Sequence, residues 1–376
     1  MKGALVATLL IVAEPLTAQQ PHPTIRLGSP AIQMGGSLGP NDQALLAGVI
    51  GATRLPNGTV VIGDGAFPRI LLFSSLGQFQ QALGRLGDGP GELRMPRWVG
   101  RCGQDEFAAY DAAQLRLTLF SQNGTLRKTI SVPAAAGFNQ VVACSADTLV
   151  FLLSQPERLD VDGGSTLTVN AALARVSTTT VDTIATIPRA QEYYLSKARA
   201  GFSDVPLGRQ VHAAAGPRRV FVCSNQDARC TVSDMTGRQQ RSFAIALERL
   251  KVSAGDWDRA LRRRVEVEPR LGTQKVLAEV LKELSPPPFF PLIDQIHSDS
   301  EDRLWVRTFQ GYGSAHATWL IVGDDGQTLA EAILPRNLQI LEIGPDYLLG
   351  LSRDAVGVET VGLYRVRLPA GTGRSR

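Results

Sequence analysis

The sequence predicts an all-β fold, a six-bladed β-propeller with a two-helix insertion between blades four and five. One observation is a five-residue phrase that recurs 47 positions later, since position 64 matches position 111. Its members are Asp64, Arg69, Ile70, Phe73 and Gly77, followed by Asp111, Arg116, Leu117, Phe120 and Gly124. Self-similarity at such a period is typical of propeller blades, because one four-stranded sheet cannot bury both faces without a neighbour.

Six short apolar runs mark the second strand of each predicted blade. Each is β-branched, aromatic or small in character and is bounded by polar or turn residues. The runs cover 60–62, 107–109, 149–151, 220–222, 304–306 and 347–349. Their central residues, at 61, 108, 150, 221, 305 and 348, are 47, 42, 71, 84 and 43 positions apart. Three of these spacings fit a bare blade, and the other two predict insertions.

The fourth unit and the turn residues support the same register. Ser224, Arg229 and Gly237 repeat the intervals of the first two units, with serine in the place of aspartate. Asn-Gly pairs at 57–58 and 123–124 are strong signals for tight hairpin turns.

The first 18 residues have the features of a secretory signal peptide: Lys2, an apolar run over 4–13 and a small-residue exit at 16–18. Residues 19–376 then form the propeller. No later apolar run is long enough to cross a bilayer. We therefore expect an exported protein, periplasmic or secreted, without a membrane span.

The charge balance argues against nucleic acid as a partner. Lysine and arginine number 39 against 35 acidic residues, which gives a net charge of +4. These basic residues are scattered, whereas nucleic-acid binding needs a clustered basic face. We expect a monomer whose partner is a peptide, a glycan, a protein or a small molecule.

The insertion between blades four and five, at 247–290, has helical patterning. Ser253 followed by Asp256 predicts an N-cap, and Trp257, Leu261 and Val265 fall on one helical face. A second helix is predicted over 273–284, ended by a serine and three prolines. About 45 residues bury too little surface to fold alone, so both helices should pack on the propeller.

The repeated phrase resembles the NHL-repeat type of six-bladed β-propeller. The segment 84–93, which continues to Pro96, is similar to the linker between blades in that family. The resemblance covers most of the chain after residue 18. It departs from the family pattern in blade three, where the Asp and Arg are not recognisable, and in the loops of blades five and six. The closing segment 344–366 and the helical insertion resemble exported bacterial propeller proteins of uncharacterised role.

The Asp and Arg of the phrase also have a structural interpretation. An aspartate just past the second strand can accept hydrogen bonds from loop amides and pair with the arginine five positions on. Asp64 with Arg69, and Asp111 with Arg116, would then tie each loop to the next strand.

Four cysteines in an exported chain predict two disulfides. Cys223 and Cys230 flank the loop of the blade-four hairpin and can face each other across it. Cys102 and Cys144 occupy the same position in blades two and three, five residues before each second-strand run. A bridge there would link neighbouring inner strands.

Some relatives of the NHL fold are lyases or hydrolases that hold a metal with histidines near the channel. Here, His212 and His297 lie on predicted inner strands of adjacent blades. Strand alternation points them to opposite faces unless the turns differ in length. The sequence also has no nucleophile elbow and no cysteine with an obvious base. We therefore predict no metal, no cofactor and no catalytic residue.

Most irregular segments belong to the face where blade-to-blade linkers and second-to-third strand loops emerge. Aromatic and arginine side chains in such loops are typical of recognition sites. The candidate ligand-binding residues are Arg85, Asp88, Glu92, Arg97, Trp98, Arg209, Arg307, Tyr312 and His316. The sequence thus favours a binding module over a hydrolase or lyase at the channel mouth. A third interpretation is that the insertion only caps the channel and that its aromatic residues are core.

Overall fold

A computed structural model describes residues 22–369 except 37–43, 134–139, 146–147, 156–164, 178, 196–201, 239 and 269–270. The predicted signal peptide at 1–18 lies outside these residues. Within them, the strands form six sheets. The innermost strands of successive sheets contact one another in a closed circle. The chain is a six-bladed β-propeller.

The first three blades follow two short N-terminal strands, β1 (Thr24–Arg26) and β2 (Ile32–Gly35). Blade one contains β3 (Val49–Arg54), β4 (Val60–Asp64), β5 (Arg69–Phe73) and β6 (Phe79–Leu83). Blade two contains β7 (Pro96–Arg101), β8 (Glu106–Asp111), β9 (Arg116–Ser121) and β10 (Leu126–Ser131). Blade three contains β11 (Gln140–Ser145), β12 (Thr148–Gln155), β13 (Ser165–Val176), β14 (Val181–Leu195) and β15 (Phe202–Asp204). The long β13–β14 hairpin accounts for the 71-residue spacing in the sequence.

The last three blades contain the remaining strands. Blade four has β16 (Val211–Ala215), β17 (Arg219–Ser224), β18 (Arg229–Asp234) and β19 (Arg241–Ala244). Blade five has β20 (Ile293–Ser298), β21 (Leu304–Thr308), β22 (His316–Val322) and β23 (Thr328–Pro335). Blade six has β24 (Gln339–Ile343), β25 (Tyr347–Arg353) and β26 (Glu359–Arg365). All six predicted apolar runs lie in the second strand of a blade.

The N-terminal strands close the ring, which the sequence did not predict. β2 pairs antiparallel with β26 and supplies the outermost strand of blade six. β1 pairs parallel with β23 as a fifth strand of blade five. Met34 of β2 is 1% exposed and packs between blades six and one. Both ends of the described chain are therefore held in sheets.

Burial follows strand position within a blade. β4 is buried at every residue, whereas β6 is exposed or half-buried throughout. A central strand packs against both neighbouring blades, and the outer strand faces solvent on the rim. This explains why the apolar runs of the second strands were the clearest sequence signal.

The helical insertion lies between β19 and β20, as predicted. α1 (Ala254–Glu266) begins at the N-cap Ser253, and Ser253 forms a capping box with Asp256. α2 (Leu271–Leu281) ends three residues before the predicted position. Residues 281–284 form an i→i+3 turn instead, in which the N–H of Leu284 donates to Leu281 O at 3.2 Å.

α2 packs on blade three through a small apolar cluster. Tyr194, Val205 and Val280 are buried there, and the Tyr194 hydroxyl donates to Glu283 Oε2 at 2.5 Å. α1 packs against α2 and buries Trp257. The insertion is thus attached to the propeller, as its size required. None of the described helices has the length and apolar character needed to cross a membrane.

Asp64 ties its loop to the next strand as expected. Its carboxylate is fully buried and accepts the N–H groups of Ala66 and Phe67, both at 3.2 Å. Arg69 pairs with it at 3.3 Å and also donates to Leu45 O at 2.7 Å. The arginine therefore holds the chain segment that enters blade one.

Blade two departs from the expected pair. Asp111 is fully buried and accepts four backbone N–H groups, those of Arg94, Met95, Ala113 and Gln114. Arg116 does not pair with Asp111. It donates instead to carbonyl oxygens of the preceding linker, those of Asp88, Gly89 and Glu92 at 3.0, 2.8 and 2.5 Å. Four amide donors already satisfy the aspartate, so the arginine serves the linker alone.

Both expected disulfides are present. Cys102–Cys144 joins the inner-strand regions of blades two and three, with Cα atoms 4.8 Å apart. Cys223–Cys230 joins directly opposed residues of β17 and β18, with Cα atoms 4.1 Å apart. One disulfide therefore cross-links two neighbouring blades, and the other cross-links the two strands of one hairpin.

Replacing Cys102 and Cys144 together with alanine should destabilise the protein more than replacing Cys223 and Cys230. The two bridges span 42 and 7 residues. Loop-closure entropy then gives a loss of about 4 kcal/mol against about 2.5 kcal/mol in the free energy of unfolding. Urea denaturation of the two double variants under non-reducing conditions measures the difference. Equal losses would contradict the entropic argument.

Candidate functional site

A pocket of about 280 Å³ lies on the face where the linkers and the second-to-third strand loops emerge. We call it the rim pocket. Blades four and five, the linkers that flank them and the inserted helix contribute to it. Its charged and aromatic lining consists of His212, Arg263, Asp294, Arg307, Phe309, Tyr312 and Arg336. Predicted site residues Arg307 and Tyr312 therefore lie together in one concavity.

A β-bulge places Asp294 in the rim pocket. Ile293 pairs with Thr308 and Gln295 with Arg307, so Asp294 is the extra residue of β20. A bulge re-aims the side chain of the extra residue. Asp294 Oδ2 accepts from Arg307 Nη2 at 2.7 Å, and both side chains stay partly exposed.

Arg307 interacts electrostatically with several other side chains at the pocket. Its guanidinium carbon lies 5.6 Å from the centre of the Trp319 ring, a cation–π arrangement. Its Nε is buried and has no hydrogen-bond partner. Burial lowers the pKa of both His212 and His297, and the positive charge of Arg307 lowers each pKa further by a smaller amount. His212 is therefore a neutral side chain beside an ion pair.

Two aromatic rings, Phe309 and Tyr312, line the pocket, and Phe290 packs against both of them. Phe290 and Phe309 stack with centroids 4.7 Å apart, and Tyr312 meets Phe309 edge-on at 5.6 Å. Arg263 of α1 lies over the Tyr312 ring at 5.6 Å. Phe290 of the insertion is buried, as the capping interpretation expected, whereas Tyr312 of the blade-five loop is half-buried and lines the pocket. The aromatic residues thus divide between core and surface.

Asn225 is a residue that the sequence analysis missed. It is 3% exposed and directly follows Ser224, the residue aligned with the aspartates. Its Oδ1 accepts from Gln210 N, and its Nδ2 donates to Gly208 O, both at 2.9 Å. Its own carbonyl accepts from Leu292 N at 2.6 Å. Asn225 therefore fixes both linkers beside the pocket, the one before blade four through its side chain and the one before blade five through its backbone carbonyl.

A central channel of about 560 Å³ runs between the inner strands. Arg97 and Trp98, two further predicted site residues, line it. Arg97 is the extra residue of a bulge in β7, as Asp294 is in β20. His212 lines both the channel and the rim pocket, so the two cavities meet at this side chain.

The exception that the sequence analysis left open applies to the two histidines, because their turns differ in length. Ala215 pairs with Val220, but Ser298 pairs with Leu304, so the blade-four turn is one residue shorter. This difference restores a common orientation. His212 lies on the blade-five side of β16, and His297 lies beside Trp319 on the blade-six side of β20, with ring centroids 5.6 Å apart. Each histidine thus faces the next blade, but at a different interface.

The described residues contain no cluster of three or more histidine, cysteine or acidic side chains suited to a metal ion.

Arg85, Asp88 and Glu92 are engaged within the linker between blades one and two. Arg85 Nε donates to Glu92 Oε1 at 2.7 Å, and Arg94 pairs with Asp88. Hydrogen bonds from Arg94 and Gln114 lower the pKa of Asp88 to about 2. The rim pocket is lined by other segments. These contacts fit a role in linker geometry.

Arg209 and His316 lie next to lining residues of the pocket. Arg209 follows Gly208, and its backbone N–H donates to Glu192 Oε2 at 2.8 Å. Its Nε is buried without a hydrogen-bond partner. His316 is exposed at the start of β22. The sequence analysis omitted Arg263, Arg336 and Asp294. The first two had only a position in the insertion or a linker as a signal, and Asp294 lies at a bulge of β20 that the sequence did not indicate.

Comparisons with known proteins support the fold. No family model and no curated protein matches the sequence. A DUF4221-family structure from Bacteroides vulgatus has a TM-score of 0.56 and 11% identity, covering 92% of this chain and 99% of that chain. A Bacteroides fragilis protein proposed to be exported has a TM-score of 0.48 and 12% identity, covering 92% of this chain and 99% of that chain. Calcium-binding regucalcin from Agrobacterium tumefaciens has a TM-score of 0.42 and 10% identity, covering 93% of this chain and 99% of that chain. At 11% identity, the likeness to the DUF4221-family structure shows the fold alone.

His297→Gln should reduce the loss of stability in mild acid. Burial, with a smaller effect of the Arg307 charge, lowers the pKa of His297 from 6.5 to about 4. Between about pH 7 and pH 5 the unfolded state takes up a proton that the folded state does not. The free energy of unfolding therefore falls by about 2 kcal/mol through this residue. Glutamine keeps a polar partner for Gln295 and does not titrate.

Urea denaturation at both pH values measures this difference for the wild type and the variant. His316→Gln is the matched control, because this side chain is exposed. An equal acid-induced loss in all three proteins would show that His297 is not the group responsible.

Proposed function

We propose that the protein is an exported binding module that recognises a peptide, a glycan or a small ligand at the rim pocket. One observation carries the proposal: residues of blades four and five, of their flanking linkers and of an inserted helix converge on a single concave site around Arg307. Strands hold Asp294 and Arg307, while loops supply Tyr312 and Arg336. Recognition sites are commonly built in this way, with variable loops on a rigid scaffold.

Export is supported by features outside the pocket. Two disulfides, Cys102–Cys144 and Cys223–Cys230, are typical of an oxidising compartment. The pattern over 1–18 is that of a signal peptide. Binding in a periplasm or outside the cell would then involve ligands taken from the surroundings.

A hydrolase or lyase at the same site is the second candidate. Burial lowers the pKa of His212, so its imidazole is neutral and can accept a proton. The charge of Asp294 acts in the opposite direction and raises the pKa of His212, and both side chains line the pocket. A general base beside an arginine and a tyrosine would suit proton abstraction.

Combining Arg307→Gln with Tyr312→Phe should abolish ligand retention if the protein is a binding module. The change removes a charged donor and a hydroxyl from the pocket, and loss of one charge-assisted hydrogen bond weakens binding about tenfold or more. The measurement is retention of the protein on arrays of immobilised peptides, glycans and small molecules. Loss of turnover of a retained molecule, assayed in parallel, would favour the enzyme.

The matched control combines Arg262→Gln with Tyr364→Phe, which removes the same groups away from the pocket. Circular dichroism and thermal denaturation establish that both double variants fold. Equal retention by the two variants would refute the assignment of the rim pocket as the binding site.

A further inference from the structure

Positive charge exceeds negative charge in the rim pocket. Arg263, Arg307 and Arg336 line it, together with one carboxylate, that of Asp294. Asp294 is already paired with Arg307 at 2.7 Å. No described residue forms an ion pair with Arg263 or Arg336. Two guanidinium charges at the pocket therefore have no counter-ion in the part of the chain that the structure describes.

Arg336 is the more confined of these two arginines. It is half-buried, and its Nε donates to Ser314 O at 2.8 Å. The described residues offer its terminal amino groups no other acceptor. Burial lowers the pKa of Arg336, and the charges of Arg307 and Arg263 act in the same direction against that of Asp294. An arginine remains protonated in a protein, so this environment favours a bound anion.

Arg263 is held in position by the insertion. α1 packs on α2, which is anchored on blade three. The guanidinium lies over the Tyr312 ring of blade five. An arginine positioned before binding loses less conformational entropy when a ligand binds.

Arginines on another surface of the same chain show a different arrangement. Arg219 and Arg241 both pair with Asp324 at 2.5 Å, and Arg218 pairs with Asp302 at 2.7 Å. These three arginines line a second concavity, but each has a carboxylate partner. Against this background, the unpaired arginines of the rim pocket are better explained by a ligand than by the fold.

We propose that the rim-pocket ligand carries an anionic group, a carboxylate or a phosphate, which Arg263 and Arg336 bind. Phe309 and Tyr312 contact the apolar part of the ligand. The ion pair with Asp294 holds Arg307 in place, and Arg307 forms the floor of the site. This inference rests on the proposed function, because it names the chemistry of the ligand for the same pocket.

Isothermal titration calorimetry of the mature protein at low ionic strength tests the inference. Glutarate and inorganic phosphate are the two anionic probes, and glutaramide is the uncharged match of glutarate. We expect one anion to bind at least about tenfold more tightly than glutaramide, because charge-assisted hydrogen bonds contribute about 1.5–3 kcal/mol. The better probe distinguishes a carboxylate from a phosphate ligand.

Arg336→Gln and Arg263→Gln should each weaken binding of that anion about tenfold. Arg336→Lys should restore part of the affinity, since it keeps the charge but not the planar donors. Arg262→Gln is the matched control: it removes the same charge from the same helix, on the side that faces α2. We expect its affinity to stay within about twofold of the wild type. Thermal denaturation of every variant checks that it folds.

The inference is overturned if neither anion binds, if glutaramide binds as tightly as glutarate, or if Arg336→Gln and Arg262→Gln have the same effect. An uncharged ligand that is retained on the arrays and lost with the Arg307 and Tyr312 substitutions would leave the proposed function standing and remove only the anionic requirement. If nothing on the arrays depends on Arg307 and Tyr312, the proposed function fails as well.

Discussion

The fold depends on closing a ring. Each blade buries its central strands only when another sheet covers both of its faces, so an open end would leave one apolar face in water. The chain meets this requirement by pairing β2 with β26, across more than 300 positions of sequence. Met34, almost fully buried between blades six and one, completes the core there. The remaining interfaces are formed by neighbours in sequence, and one of them is reinforced by Cys102–Cys144.

A rigid ring still needs fixed loops before it can present a site. Buried polar side chains near the end of the second strand fix the loops in three blades. Asp64, Asp111 and Asn225 each accept backbone N–H groups from loops or linkers. Unpaired buried amides are costly, so each of these contacts leaves its loop few alternative conformations. Around Asn225, the ordered segments form the wall of the rim pocket. The kind of buried polar contact that orders loops in other blades therefore supports the rim pocket in blade four.

Much of this structure was predictable because its signals are local. The apolar second strands, the capping box at Ser253 and the facing cysteines of one hairpin each occupy a few consecutive residues. The pairing of β1 and β2 with distant strands has no such signal. A bulge depends on one extra residue, so the position of Asp294 could not be derived from alternation, and a one-residue difference between two turns reversed the expected orientation of the histidines. Asn225 was missed because it stands one place beyond the aligned Ser224.

The parallel pairing of β1 with β23 connects the start of the described chain to the pocket. Arg336 follows Pro335, the last residue of β23, so the strand that carries β1 runs directly into the linker that supplies the pocket. The register places Arg26 opposite Ile333, three positions before Arg336. The amino-terminal strand and a charged residue of the pocket are thus joined through β23, and β1 covers the edge that β23 would otherwise expose to solvent.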